Sequence, residues 1–169
     1  AMNIDGLGSE TVEQLHQAGL IQNIADLYTL NADQILPLER MADKSVSNLI
    51  DGIEQSKEKP FAKVLFGLGI RFVGETVAKK LSKQFKSIQA LKEAPLEQLI
   101  ETDDIGERIA KSLVDYFANP KNQLMISQLE SFGLQLSEVE TEQNHHTAFE
   151  GKRFVVSGVF EQFSREELK

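Results

Sequence analysis

The residues best placed to do chemistry are glycines that stand just ahead of a helix pattern with basic side chains nearby. The first N–H groups of a helix have no partner inside the helix, and the helix dipole favours an anion at that end. A glycine turn that opens into a helix is therefore suited to bind a phosphate group. The candidate binding residues are Gly6, Gly8, Ser9, Arg71, Gly74, Glu75, Thr76, Lys79, Lys80, Gly106, Arg108 and Lys111.

One twelve-residue pattern occurs four times, beginning at residues 4, 38, 70 and 102. Its first, fourth, ninth and twelfth positions are mostly apolar, and its fifth is glycine in three copies. This spacing predicts two helices joined by a tight turn, with the glycine supplying backbone freedom. The ninth residue is small or β-branched, which predicts close packing of the two helices in each copy; it is Val12, Val46, Ala78 or Ala110.

Three copies depart from the glycine pattern. Arg40 and Ala42 replace both turn glycines of the second copy, so that copy is expected to pack rather than to bind phosphate. Phe72 replaces the first glycine of the third copy, and two aspartates precede Gly106 in the fourth. We therefore rank the third turn first as a phosphate site, the first turn second and the fourth turn third.

Charge is distributed unevenly along this acidic chain, whose formal net charge is −8. Residues 61–92 carry seven basic side chains and one acidic one, a net +6, between flanks of −6 (residues 1–60) and −8 (residues 93–148). Local fields attract a polyanion, so the basic segment favours nucleic-acid binding. The alternative is an ordinary solvated helix face rich in lysine.

Several classes of function are disfavoured by composition. The chain has no cysteine, which excludes disulfides, thiolate zinc sites and a cysteine nucleophile. No phosphate-cradling loop motif or other catalytic constellation is present. No run of eighteen apolar residues occurs, so no membrane span or membrane partner is expected. We expect a cytoplasmic protein that binds no metal or cofactor through these residues.

Connecting segments are predicted around the four copies. Asn31 is a helix N-cap signal, Pro95 suits a first helical turn, and residues 122–132 read as a closing helix stopped by Gly133. Residues 137–148 are polar and acidic, which is typical of a linker. The pair His145–His146 lies there without a third metal-ligating neighbour.

The repeated stretches resemble a known family. Residues 67–81, Gly-Leu-Gly-Ile-Arg-Phe-Val-Gly-Glu-Thr-Val-Ala-Lys-Lys-Leu, are similar to the helix-hairpin-helix domain of bacterial NAD-dependent DNA ligases. Residues 1–8 resemble the segment after that family's four-cysteine zinc finger, and residues 105–117 resemble its last hairpin. Residues 149–160 resemble the first strand of a BRCT domain, and residues 164–169 its first helix.

This resemblance implies a mainly α fold of four tandem helix-hairpin-helix units, followed by a truncated α/β BRCT start. The expected domains are a DNA-binding domain at 1–136, an acidic linker at 137–148 and an incomplete BRCT domain at 149–169. The resemblance implies that the chain binds nicked duplex DNA and that it also contacts the catalytic and zinc-finger domains of the same whole protein. It further implies a location in the cytoplasm, associated with the nucleoid.

In that family the whole enzyme uses NAD, magnesium and zinc to seal nicks in DNA replication and repair. The adenylated lysine of the family's Lys-x-Asp-Gly motif is absent, since Leu49 stands ahead of Ile50-Asp51-Gly52. The 169 residues alone are therefore expected to be inactive and to hold no cofactor. Two alternatives remain: a helix-hairpin-helix module of another DNA repair protein, and an acidic interaction scaffold that does not bind DNA.

Overall fold

The computed structural model describes residues 1–138, which are mainly helical. One isolated antiparallel bridge, between Ser87 and Ser137, is the only β pairing in this part of the chain. None of its helices has the length and apolar content needed to cross a bilayer. In chain order the helices are α1 (Ser9–Gln17), a 3₁₀ helix (Ile24–Thr29), α2 (Ala32–Ile35), α3 (Asp43–Ser56), α4 (Phe61–Gly67), α5 (Glu75–Phe85), α6 (Ile88–Glu93), α7 (Leu96–Glu101), α8 (Glu107–Ala118) and α9 (Pro120–Ser131).

The same backbone turn precedes α1, α3, α5 and α8. Its third position is left-handed each time, with φ of 75° at Gly6, 61° at Arg40, 67° at Phe72 and 63° at Asp104. Its fifth position is extended, with φ from −97° to −76°. Backbone freedom was predicted at the fifth position, and that prediction is wrong, because any residue adopts this extended conformation. The third position is the one that strains a side chain.

Helix starts fall into three groups, of which the smallest is α4 and α7, each beginning after a proline without a side-chain cap. The 3₁₀ helix, α2, α6 and α9 begin with side-chain caps, from Asn23, Asn31, Ser87 and Asn119 respectively. These caps satisfy N–H groups that would otherwise lack a partner. The four helices that follow the repeated turn have no side-chain cap. The predicted cap at Asn31 is confirmed, as is a closing helix, which begins at Pro120 and ends before Gly133 at φ 85°.

Two apolar clusters hold the described residues together. The first centres on Leu15, Ile35 and Leu49, and the second is formed by Ala25 and buried residues between Phe61 and Leu136. Tyr28 of the 3₁₀ helix joins them: its hydroxyl hydrogen-bonds with Ser56 at 2.9 Å, and its ring stacks on Phe132 at 6.1 Å. Burial raises the pKa of Tyr28 above its ordinary value of 10.0.

The small residue at the ninth position of each copy behaves as predicted in three cases. Val46, Ala78 and Ala110 are buried, because α2, α4 and α7 pack against the helices that carry them. Val12 is 39% exposed, so the packing predicted for it is wrong within the described residues. The physical reason is that residues 1–8 form no helix that could cover this face of α1.

The chain after α9 returns to the start of α6. The Ile88 N–H donates to the Leu136 carbonyl at 2.8 Å, and the Glu138 N–H donates to the Lys86 carbonyl at 2.7 Å. These two hydrogen bonds join residues 136 and 138 to the start of α6. The rest of the expected linker, the pair His145–His146 and the BRCT-like residues 149–169 lie outside the described residues.

Candidate nucleic-acid interface

The N-terminus of α5 presents a row of unpartnered N–H groups. The first bond that closes the helix runs from the Ala78 N–H to the Gly74 carbonyl at 2.9 Å. The N–H groups of Glu75, Thr76 and Val77 therefore meet no acceptor in residues 1–138. The same arrangement occurs at α1, where the first such bond joins Val12 to Gly8 at 3.0 Å. These donors are available to a ligand that carries negative charge.

Three of the four turns have no side chain at the fifth position, where the residue is glycine. A Cβ added at Gly8, Gly74 or Gly106 would meet no atom within 4 Å, and the three backbones are extended. Gly52 differs, because a Cβ there would lie 2.9 Å from the Asp5 nitrogen. The fold itself therefore requires a glycine at 52 but not at the turns. The missing side chain leaves the helix N-terminus open to a molecule approaching from outside.

Glu75 neutralises two basic residues of the third turn. Its carboxylate accepts from Lys63 Nζ at 2.8 Å and lies 3.0 Å from Lys79 Nζ. The hydrogen bond from Lys63, followed by that from Lys79, lowers the pKa of Glu75 to about 2. Glu75 is therefore ionised at neutral pH, beside the N–H groups where a phosphate would bind. Its charge opposes an anion there while both lysines remain close by.

Lys80 joins the third turn to the fourth. Its Nζ contacts Asp104 Oδ2 and lies 3.1 Å from Asp103 Oδ2. The hydrogen bonds that Lys80 donates to Asp104 and then to Asp103 raise the pKa of Lys80 above its ordinary value. The two carboxylates that precede Gly106 are thus engaged with a lysine of α5. This arrangement ties α5 to the turn ahead of α8.

The fourth turn contributes one paired and one unpaired cation. Lys111 Nζ lies 2.6 Å from Glu107 Oε1, and this hydrogen bond raises the pKa of Lys111. Arg108 has no carboxylate at ion-pair distance in the described chain, and the same holds for Arg71. Both guanidinium groups lie over the ring of Phe72, with Arg108 at 4.0 Å and Arg71 at 4.8 Å from its centroid. The contact of Phe72 with both arginines was not predicted from the sequence. The only indication was that an aromatic residue replaces the first glycine of the third copy.

The first turn carries fewer cations. Gly6, Gly8 and Ser9 are exposed, and the Asp5 carboxylate accepts from the Gly6 N–H at 3.0 Å. Arg40 of the second turn is engaged with Glu10 of α1 at 3.1 Å. Exposed candidates also include Thr76 and Lys79, whereas Glu75 and Lys80 are half-buried. Residues 1–138 contain no group of three side chains placed to hold a metal ion.

Two family models match the described residues. Residues 1–55 match the SAM-like helix-hairpin-helix tandem, and residues 63–126 match the helix-hairpin-helix motif. The first range contains the whole of the first apolar cluster, and the second range contains most of the second.

Curated relatives match along the whole chain. A protein named DNA ligase from Phocaeicola vulgatus is 58% identical over all of this chain and 26% of its own length. DNA ligases from Flavobacterium johnsoniae and Cytophaga hutchinsonii are 57% and 52% identical, again over the whole chain and about a quarter of their own length. The chain therefore spans about a quarter of these relatives. It is homologous over its full length to a segment of DNA ligases, and its described part carries helix-hairpin-helix motifs.

Proposed function

We propose that this chain binds the sugar-phosphate backbone of duplex DNA without reading base sequence. The observation that carries the proposal is the open, uncapped helix N-terminus behind Gly8, Gly74 and Gly106. Backbone N–H donors and a positive dipole end fit a phosphate oxygen. Contacts of this kind position a protein on the duplex but carry no base identity.

In this proposal the four turns belong to four tandem hairpin units, which differ in how much each contributes to phosphate binding. The third and fourth units bind most tightly, because Arg71 and Arg108 are the candidate cations without a carboxylate partner among residues 1–138. The fourth unit therefore precedes the first in this proposal, which reverses the order expected from the sequence. The first unit contributes its N–H groups. The second unit packs only, since the methyl group of Ala42 stands where the others have glycine and Arg40 is held by Glu10.

In the whole protein, we propose, this region holds a nicked duplex for an NAD-dependent DNA ligase in replication and repair. The proposal rests on the ligase relatives and on the resemblance of residues 67–81. Under this proposal the whole protein uses NAD, magnesium and zinc and lies in the cytoplasm. It also contains catalytic and zinc-finger domains, and a BRCT domain that begins at residue 149. The 169 residues alone lack the adenylation lysine, so incubation with NAD should leave their mass unchanged. A covalent AMP adduct would contradict this assignment.

An acidic interaction scaffold is the second candidate function. It is favoured by the internal pairing of Lys63, Lys79, Lys80 and Lys111 with carboxylates, which reduces the attraction for a polyanion. Exposed ion pairs are weak, so a phosphate can displace the carboxylate partner. Binding of DNA that falls steeply with salt would separate the two functions.

The test is fluorescence anisotropy on two unrelated nicked duplexes across a salt series. Changing Arg71, Lys79 and Lys80 together to alanine should weaken binding equally on both duplexes. The log–log salt slope should become shallower by up to about 2–3, because each phosphate contact contributes about −0.9. The control changes Lys44, Lys57 and Lys59, which removes the same charge from the first half of the chain. An unchanged slope in the first variant would support the scaffold instead.

A further inference from the structure

Phe72 combines two unfavourable features. Its φ of 67° is a left-handed conformation that a bulky side chain rarely adopts, and the residue is 38% exposed. The equivalent position of the first turn is Gly6, which meets the same backbone requirement without strain. Strain of this kind persists where the surroundings hold the residue in place. The contacts of the Phe72 ring identify what it does there.

The ring lies beside two cations that would otherwise repel each other. Arg71 and Arg108 lie 4.8 Å and 4.0 Å from its centroid, so their guanidinium carbons are at most 8.8 Å apart. No carboxylate within residues 1–138 neutralises either of them. The ring quadrupole attracts a guanidinium and offsets part of this repulsion. An anion placed against both groups would remove the rest.

The two arginines come from different turns, and the structure fixes one relative to the other. The Ser112 hydroxyl donates to the Arg71 carbonyl at 2.8 Å, which ties the third turn to α8. The Tyr116 hydroxyl donates to the Leu68 carbonyl at 3.3 Å, one helical turn further along. Arg108 belongs to the same helix. These two hydrogen bonds fix the backbone of the third turn relative to α8, and the ring of Phe72 contacts the guanidinium group from each side of that junction.

We propose that Phe72 is a positioning residue that holds Arg71 and Arg108 together as one anion site spanning the third and fourth turns. The ligand is a backbone phosphate of duplex DNA, so this inference rests on the proposed function. A planar guanidinium can donate two parallel hydrogen bonds to phosphate oxygens. The glycine N-termini of α5 and α8 then bind neighbouring phosphates, and the arginine pair joins the two units into one surface.

The test compares Phe72→Leu with Phe72→Tyr in the full 169-residue chain. Leucine keeps the apolar character, the net charge and the backbone strain but lacks an aromatic face, whereas tyrosine keeps that face. Phe72→Leu should weaken binding to a nicked duplex about threefold to tenfold, since each exposed cation–π contact contributes modestly. Its salt slope should become shallower by roughly 1, although no charge is removed. Phe72→Tyr should bind within about twofold of wild type, because the aromatic face is retained.

A double-mutant cycle shows whether the ring acts through the arginines. In a chain with Arg71→Ala and Arg108→Ala, Phe72→Leu should cause no further loss of affinity. The inference is refuted if Phe72→Leu binds with wild-type affinity and slope, if tyrosine fails to rescue, or if the leucine effect persists without the arginines. If the wild-type chain does not bind DNA at all, the proposed function fails, and this inference fails with it.

Discussion

Replacing Gly74 with serine separates phosphate binding from helix stability. Gly74 has φ −82° and ψ 178°, which suits serine as an N-cap, and a Cβ there meets no neighbour within 4 Å. The new hydroxyl would accept from a free N–H at the start of α5, as caps do elsewhere. The helix should gain a few tenths of a kcal/mol, roughly the advantage of serine over glycine at an N-cap. DNA affinity should fall, because the hydroxyl occupies the place of the phosphate.

The expected loss of DNA affinity exceeds the change in stability. A hydrogen bond to a charged group contributes about 1.5–3 kcal/mol net. Because about 1.4 kcal/mol corresponds to a factor of ten, losing one phosphate contact should weaken binding at least about tenfold. The salt slope should become shallower by about 0.9, the value for one phosphate. Thermal unfolding followed by circular dichroism and anisotropy on a nicked duplex measure the two quantities separately.

Ala42→Ser is the matched control. Ala42 has φ −97° and ψ 162°, it begins α3, and it likewise lacks a side-chain cap. Serine there should stabilise the chain by about 1 kcal/mol, a typical gain over alanine at an N-cap. It should leave DNA affinity unchanged, because we assign no phosphate to the second turn. The reasoning is refuted if Gly74→Ser binds DNA like wild type, or if Ala42→Ser is the more damaging change.

Three further predictions concern charge and packing. Changing Asp103 and Asp104 to asparagine should release the lysine that they hold, raise DNA affinity, and steepen the salt slope by about 0.9 for one added phosphate contact. Gly52→Ala should destabilise the chain by about 1–3 kcal/mol, as overpacking does, because its Cβ would lie 2.9 Å from the Asp5 nitrogen. The pKa of Glu75 is lowered from 4.5 to about 2, so its ion pairs stabilise the fold above pH 4.5 and are lost as the pH falls toward 2. The difference in melting temperature between wild type and Glu75→Gln should therefore be constant from pH 7 to 5 and shrink below that.

The first two of these predictions have control variants, and the third has a pH at which it can be contradicted. The double variant Asp33→Asn and Asp51→Asn changes the net charge by the same amount as Asp103→Asn with Asp104→Asn, but in the first half of the chain. It should therefore affect DNA binding less than the change at Asp103 and Asp104. Gly67→Ala adds a Cβ only 3.3 Å from the flexible Met2 side chain, and its melting temperature should stay near wild type. A Glu75→Gln difference that persists undiminished at pH 3 would contradict the ion-pair explanation.

The positions of the turns and helices were predictable because their signals are local. Apolar spacing placed α5 and α8 directly after Gly74 and Gly106, and Asn31 marked the start of α2. The left-handed third position was not predicted, because three of its four residues are not glycine. Each of the three contacts a distant element: Arg40 contacts Glu10, Phe72 contacts Arg108, and Asp104 contacts Lys80. Such contacts offset local strain and cannot be read from a twelve-residue pattern.

The charge of the interface was predictable only as a total. Counting residues 61–92 gives net +6, but Glu75 engages Lys63 and Lys79, and acids from the next turn engage Lys80. Lys80 and Asp104 are 24 positions apart, so their pairing depends on how α5 packs near the fourth turn. The two candidate arginines without a carboxylate partner among residues 1–138 were named from the sequence, but their common contact with Phe72 was not predicted.

The third and fifth positions of the turn have separate duties, and this separation explains how an acidic chain could bind a polyanion. The third position tolerates a side chain, because that side chain is held by a neighbouring element, as with Phe72 and Asp104. At the three turns with glycine in the fifth position, a side chain there would meet no atom of residues 1–138 within 4 Å, so it would obstruct only an external ligand. A unit should therefore survive loss of its first glycine but lose phosphate binding when a side chain enters at the second. Because the donors at that point are backbone N–H groups, binding depends on turn geometry and on a few unpaired guanidinium groups rather than on net charge.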